Sequence, residues 1–226
     1  MAELLNQWIP NVMARTDVFV DSIIETIVMV GWSGGLSFVI GMILGIVLVV
    51  TRPGNILEHK MVYHVLDKLV NFFRSIPFVI LLACLVPLSR LMMGTAIGVK
   101  GAIVPLVFGC TPFFSRQVET ALADVDAGLI EAAQSMGLSN IDIIIRVYLK
   151  ESIAGLARGT TITIISLIGL TAMAGAIGAG GLGNFAIMYG HQRNMPDVTY
   201  TTVVVLVIIV TLVQIIGNYI ARKNTH

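Results

Sequence analysis

Apolar residues in this chain come in long uncharged runs, not in the strict alternation of a half-buried strand. No charged residue occurs from Thr26 to Thr51 or from Val198 to Ala221. Each run is long enough for a helix to cross a bilayer core of about 30 Å, which takes about 20 residues. Between Arg158 and Arg193 lie 34 uncharged residues, enough for one span and a Gly-rich remainder. The middle of the chain is less regular, with uncharged runs of 15 residues between Arg74 and Arg90 and from Gly101 to Ser115. Helices there must take in flanking residues whose charged ends reach the interface. The pattern predicts five spans, near 21–50, 62–88, 92–115, 152–174 and 198–221, with a segment 1–20 ahead of them, a loop over 117–151 and a tail at 222–226.

Composition agrees with that pattern. Of 226 residues, 56% are hydrophobic and only 12% charged, against about 25% charged in soluble domains. An all-α integral membrane protein follows, and no stretch outside the spans is long enough for a nucleotide-binding or hydrolytic domain. Any energy source is therefore another polypeptide or an ion gradient. A net charge of +1 excludes a broad electrostatic surface for nucleic acid.

The orientation follows from basic residues. Arg52, Lys60, Lys68 and Arg74 follow span one, Arg116, Arg146, Lys150 and Arg158 follow span three, and Arg222 and Lys223 follow span five; Arg15, Arg90, Lys100 and Arg193 lie on the other side. Ten against four places the amino terminus outside and the carboxyl terminus in the cytoplasm. The first 20 residues carry Glu3 and Asp17 and have no short apolar core before Asp21, so they are not a cleavable signal. They are expected to form an external interfacial helix with Trp8 as its anchor and Pro10 as a break.

The loop 117–151 is the one sizeable polar region. Leu122, Val125, Leu129 and Ala133 follow helical spacing, Gly137 interrupts, and Ser139 or Asn140 is placed to cap a second helix from Ile141. A helix, a turn and a helix are expected. Ala132 and Ala133 beside Glu131 let a partner approach closely, and Ile141, Ile143, Ile144, Ile145 and Val147 need burial by protein or membrane. The alternative is a solvated connector.

Glu131-Ala132-Ala133, then Gly137, then Val147-Tyr148-Leu149, resemble the EAA loop of permease subunits of bacterial ATP-binding-cassette importers. Val147 and Lys150 stand where that family's closing motif has Ile and Pro. Two further stretches resemble the methionine importer permeases within that family: Gly178 to Arg193, a Gly-rich run leading into Ala186-Ile187-Met188-Tyr189-Gly190-His191-Gln192-Arg193, and Arg74-Ser75-Ile76-Pro77-Phe78. The resemblance implies a type I ABC importer permease fold over 21–221 in a bacterial inner membrane. It implies a homodimer with one pathway, a coupling loop contacting two ATPase subunits through Glu131, Ala132, Ala133, Gly137, Val147 and Leu149, and delivery of substrate by an external binding lipoprotein. ATP and Mg would be bound by the partner ATPase, with no cofactor in this chain. The expected substrate is methionine, as the L and D forms, the alternative being another amino acid.

Other signals carry less. Gly178, Gly180 and Gly183 formally satisfy a dinucleotide-binding pattern but follow a membrane span instead of a strand. Together with Gly175 and Gly181 they permit irregular backbone or close helix approach. With Asn184 they form a candidate outer gate or binding-protein contact, the alternative being a simple turn. Cys84 and Cys110 read as small buried hydrophobes, and eleven methionines as gap fillers. The scattered histidines, His59, His64, His191 and His226, and the lack of metal-ligand, nucleophile-elbow or Walker A patterns predict no metal site and no catalysis in this chain. Pro77, Pro87, Pro105 and Pro112 are placed to kink spans two and three. A secondary transporter or channel would require charged or unwound sites in mid-membrane, and spans four and five offer no buried ionisable residue for a proton relay. A membrane enzyme would require paired acids or a metal cluster at one interface.

Overall fold

The computed structural model describes residues 7–224, in which every regular element is helical. After a short helix α1 (Pro10–Met13), the chain forms α2 (Thr16–Thr51), α3 (Lys60–Ser75), α4 (Phe78–Cys84), α5 (Val86–Met93), α6 (Gly98–Ala123), α7 (Ala127–Ser135) and α8 (Asn140–Ile143). It continues through a π-helical turn at Ile144–Tyr148 into α9 (Leu149–Glu151), then α10 (Ile153–Ala174), α11 (Gly181–Asn184) and α12 (Pro196–Lys223). Four helical stretches among the described residues are long and apolar enough to cross a membrane: α2, α6, α10 with its extension to Ala179, and α12.

The predicted second span is not one helix. α3 stops at Ser75, Ile76 is extended (φ −85°, ψ 123°), and α4 starts after Pro77. A second break falls at Leu85, ahead of Val86 and Pro87 in the first turn of α5. Proline lacks the N–H of the helical ladder, and the residue before it is driven out of the α region. Pro105 and Pro112, by contrast, lie within the unbroken run of α6.

Other boundaries move for identifiable reasons. α5 ends on Gly94 in the left-handed region and Thr95 turns the chain through its hydroxyl, so α6 starts at Gly98 and not at 92. It then runs to Ala123, so Leu122 belongs to α6 and is not on one helix with Leu129 and Ala133. Of the first 20 residues, those described are Gln7 and Trp8 in helix, then α1 and the start of α2. Helix is interrupted at Ile9 and Pro10 begins α1, a break of the kind expected, and the missing N–H of Pro10 is unneeded in a first turn. The expected roles of Glu3 and His226 lie outside the described residues.

The chain divides into two compact units, one comprising residues up to Gly35, Pro77–Val107 and Ile164–Val213, the other Leu36–Ile76, Phe108–Thr163 and the residues from Gln214. α2, α6, α10 and α12 each contribute to both. From Ser22 to Gly45 the buried positions of α2 are Ser22, Thr26, Met29, Ser33, Ser37, Gly41 and Gly45, while Ile24, Ile27, Trp32, Val39 and Ile43 are exposed; at its end Leu48, Val49, Val50 and Thr51 are all buried. The small and hydroxylated face is inside and the large apolar face is outside, as expected for a helix whose outer solvent is lipid. The Ser22 and Thr26 hydroxyls donate to the carbonyls of Val18 and Ser22 at 2.8 and 2.9 Å, which satisfies them within the helix.

In the second unit α6 lies between two glycine pairs. Gly41 and Gly45 of α2 meet Phe114 and Val118, and Gly155 and Gly159 of α10 meet Ala121 and Gln117. Both pairs have the four-residue spacing that lets helix backbones approach closely in lipid. In the first unit Val12, Phe185 and Val198 form a buried cluster with Ile9, Val18, Phe19, Tyr189 and Met195 around it. The Asp197 carboxylate accepts from both the backbone N–H and the side-chain amide of Asn11 at 3.0 Å.

Candidate functional site

The loop after α6 is built by caps. Asp126 precedes α7 and its carboxylate accepts the Gly128 N–H at 2.6 Å, satisfying a free donor of the first turn. At the other end Gly137 is left-handed (φ 80°), its N–H donates to the Gln134 carbonyl, and the Leu138 N–H donates to the Ala133 carbonyl at 3.1 Å. This is a Schellman ending, in which a residue with a Cβ would be strained at Gly137. The Ser139 hydroxyl then accepts the Asp142 N–H at 3.2 Å and caps α8. Asp142 also pairs with Arg146 at 3.1 Å.

Below these caps lies a buried cluster of Val49, Phe114, Val118, Leu122, Ala133, Ile143 and Tyr148, against which Val125, Ile130, Leu138, Val147 and Leu149 pack. The six predicted coupling residues thus divide. Glu131, Ala132 and Gly137 are exposed. Ala133 is 2% exposed and faces the chain's own core, where its small side chain seats α7. Val147 and Leu149 also pack inward. The isoleucines divide the same way: Ile143 is buried, while Ile141 is 69% exposed. Leu129, Met136 and Ile145 are exposed like Ile141, so the loop leaves four large apolar side chains outside its core.

Tyr148 and Arg116 tie this loop to its neighbours, and neither stood out in the sequence. The Tyr148 hydroxyl donates to Asn55 Oδ1 at 2.8 Å, and burial pushes its phenol above the usual pKa. Ser152 donates to the Ala121 carbonyl at 2.9 Å. Arg116 of α6 is paired with Asp67 of α3 and with Glu119 one turn on. Arg52, Asn55, Glu119 and Tyr148 line a cavity of about 160 Å³ beside α7.

The Gly-rich segment is a folded-back element and not a simple turn. The helical run of α10 extends by a π-helical stretch, Gly175–Ala179, that breaks at Ile177 and Gly178 (φ 98°). Gly180 and Gly181 are also left-handed, with φ 86° and 74°. The chain then forms α11 and a π-helical run, Phe185–His191. Gly175 lies against the Asn184 and Gly180 backbone, and Gly183 against Ala172 of α10. Of the predicted contact residues Gly178 is exposed, Gly180 and Asn184 are half-buried, and Gly181 and Gly183 are buried. The buried glycines serve close packing, which leaves Gly178 and the far end of the segment to meet anything outside.

That far end carries cationic chemistry. The Arg193 guanidinium lies 4.8 Å from the Tyr189 ring centroid and that of Arg15 lies 5.8 Å from it. Two cations share one ring, and among the described residues neither has a carboxylate within salt-bridge distance. Beside them Gly190, His191, Asn194, Met195, Pro196, Thr199 and Tyr200 line an open groove of about 430 Å³. Among the described residues no three His, Cys, Asp or Glu side chains are grouped to hold a metal ion.

Known proteins resemble this chain along nearly its whole length. It is 44% identical over 205 residues to a probable D-methionine transport system permease protein MetI of Pasteurella multocida, covering 91% of this chain and 94% of the relative. It is 39% identical to the corresponding protein of Vibrio cholerae, covering 94% of each. A chain from a structure of inward-facing conformations of the MetNI methionine ABC transporter superposes with a TM-score of 0.90 at 44% identity, covering 92% of this chain and 97% of that one. Residues 37–226 match the model of the binding-protein-dependent transport system inner membrane component family. An all-helical chain with several apolar spans, a capped loop and this degree of likeness in sequence and backbone therefore belongs to the inner membrane components of binding-protein-dependent transport systems.

Proposed function

We propose that this chain is the membrane-spanning permease of an ATP-driven methionine importer. Two copies form one pathway, and two ATPase subunits, which bind ATP and Mg, hold the loops containing α7. An external binding protein delivers methionine in its L or D form. The amino terminus lies outside and the carboxyl terminus in the cytoplasm. The observation that carries this reading is the agreement, along more than nine-tenths of the chain, with a chain of the MetNI methionine transporter.

The geometry supplies a mechanism for coupling. α7 is capped at both ends and Ala133 is embedded in the core that holds Val49 of α2 and Phe114, Val118 and Leu122 of α6. A closely packed interior transmits displacement instead of absorbing it. When the ATPases close on nucleotide they pull α7, and the ends of α2 and α6 follow, biasing the pathway toward its outward state. Glu131, Ala132 and the exposed apolar residues of the loop form the surface the ATPase grips. On the outer side, Arg15 and Arg193 around Tyr189 present unneutralised positive charge to an acidic face of the binding protein.

The test is uptake of labelled methionine by the permease reconstituted with its ATPase, with and without binding protein. Gly137→Val, which strains the left-handed turn, and Glu131→Arg are each expected to cut ATP-driven uptake at least tenfold while the protein still inserts. Full uptake in vesicles lacking the ATPase would refute the coupling scheme. Preference for an unrelated amino acid over methionine would refute the substrate.

A further inference from the structure

Glu25 lies on α2, nine residues or about 14 Å along the axis from its start. It is the last of three acids on α2, just ahead of the uncharged run from Thr26, and whereas Asp17 and Asp21 are exposed it is half-buried, which calls for a specific partner. Its partner is the backbone of the Gly-rich segment. The Gly181 N–H donates to Glu25 Oε2 at 2.6 Å, and the next N–H, of Leu182, donates to Thr26 Oγ1 at 2.9 Å. Successive side chains of α2 therefore receive the successive free donors at the start of α11. The carboxylate bond is charge-assisted and strengthened by partial burial.

The glycines complete the fit. A Cβ at Gly180 would stand 2.6 Å from Glu25 Oε2, and one at Gly181 would stand 2.8 Å from both Thr26 Oγ1 and the Met29 methyl. Both positions also need positive φ. Only this backbone, with no side chain on it, lets the turn sit on Glu25 and Thr26.

We infer that Glu25 and Thr26 are positioning residues for transport, fastening the turn Gly180–Leu182 to α2 so that the Gly-rich segment and this part of α2 move as one body through the cycle. The inference rests on the reading of the segment as the outer gate or binding-protein contact. Motion of this part of α2 is then delivered directly to that segment.

The experiment uses the full complex of permease, ATPase and binding protein in liposomes. Glu25→Gln keeps an oxygen that accepts the Gly181 N–H and is expected to retain uptake within threefold. Glu25→Ala is expected to lose more than tenfold of uptake and of the ATPase stimulation by binding protein, while basal ATPase activity stays within twofold. A purely structural role would lower basal and stimulated activity together. Uptake by Glu25→Ala within twofold of wild type overturns the proposal, and so does a parallel loss of basal and stimulated activity.

A second measurement does not depend on removing the carboxylate. In a background with Cys84 and Cys110 replaced, Thr26→Cys and Leu182→Cys are joined by a disulfide or a short bis-thiol linker. Because the two segments move together, joined protein is expected to transport within twofold of the unjoined double variant. A block that reduction of the disulfide reverses shows that the contact must open, and overturns the proposal. Failure of the underlying reading is seen separately, as labelling of Asn184→Cys by a membrane-impermeant thiol reagent that neither binding protein nor nucleotide alters.

Discussion

At Gly45 one added carbon would meet a neighbouring helix directly. A Cβ there would stand 2.5 Å from that of Val118 and 2.8 Å from the Ser115 carbonyl, so α2 and α6 would have to separate. Gly45→Val is expected to destabilise the protein by about 1–3 kcal/mol, typical of overpacking, measured by thermal unfolding in detergent. Gly31, with nothing within 4 Å of its Cβ position, should tolerate alanine in the same assay. Tyr148 makes a finer test. Tyr148→Phe removes one hydrogen bond and should cost about 1 kcal/mol. The Tyr148 pKa is raised above 10.0 in the folded protein by burial, so the stability it contributes is complete below the unfolded value and is lost as pH rises through the folded one. Wild-type stability should therefore fall above about pH 10 more steeply than that of Tyr148→Phe.

The elements behave according to what joins them. α3 carries Lys60, Asp67, Lys68 and Arg74 along one amphipathic helix, and the pairing of Asp67 with Arg116 fastens it to α6. Arg116→Leu strands two partly shielded carboxylates and is expected to cost about 1–3 kcal/mol, whereas Arg116→Lys should recover part of that; unfolding in detergent with rising SDS separates the two. In α8 the Ser139 cap makes a local contribution. Ser139→Ala is expected to cost about 1 kcal/mol, seen as faster backbone hydrogen exchange confined to residues 140–143. The broken second span was partly legible, since Pro77 and Pro87 stand where they can kink it. What the sequence could not show was that α3 would be fastened to α6, because the pairing of Asp67 with Arg116 joins residues far apart along the chain.

At the scale of the whole molecule, α12 is the least buried of the long helices, with Val203, Val207, Leu212, Ile215 and Ile216 all exposed. Such a surface is stable only against lipid or another apolar surface. The proposed orientation can be checked in intact cells with single cysteines in the cysteine-replaced background. Asn194→Cys should react with an impermeant thiol reagent and Asn140→Cys should react only after the membrane is opened. The reverse pattern would invert the topology.

Along the chain, uncharged runs marked α2, α10 and α12, and Glu131, Gly137 and Ser139 marked the capped loop, because span length and local turn chemistry are properties of neighbouring residues. The buried stripe of α2 was harder to see: its inward residues are small and its outward ones large, so a search for an apolar inner face finds nothing. The four-residue glycine spacings at Gly41 and Gly45 and at Gly155 and Gly159 were the available signal. Other features were set by tertiary structure alone. That Ala133 faces inward while Ala132 faces out, that Arg15 and Arg193 meet on Tyr189, and that Glu25 finds the Gly181 N–H across more than 150 positions are facts about packing. Sequence determined the class of protein and the sites of its caps, since these follow from local free energies in lipid and water. Which side chains meet was decided by close packing of helices, which pairs residues by their place in space and not by their distance along the chain.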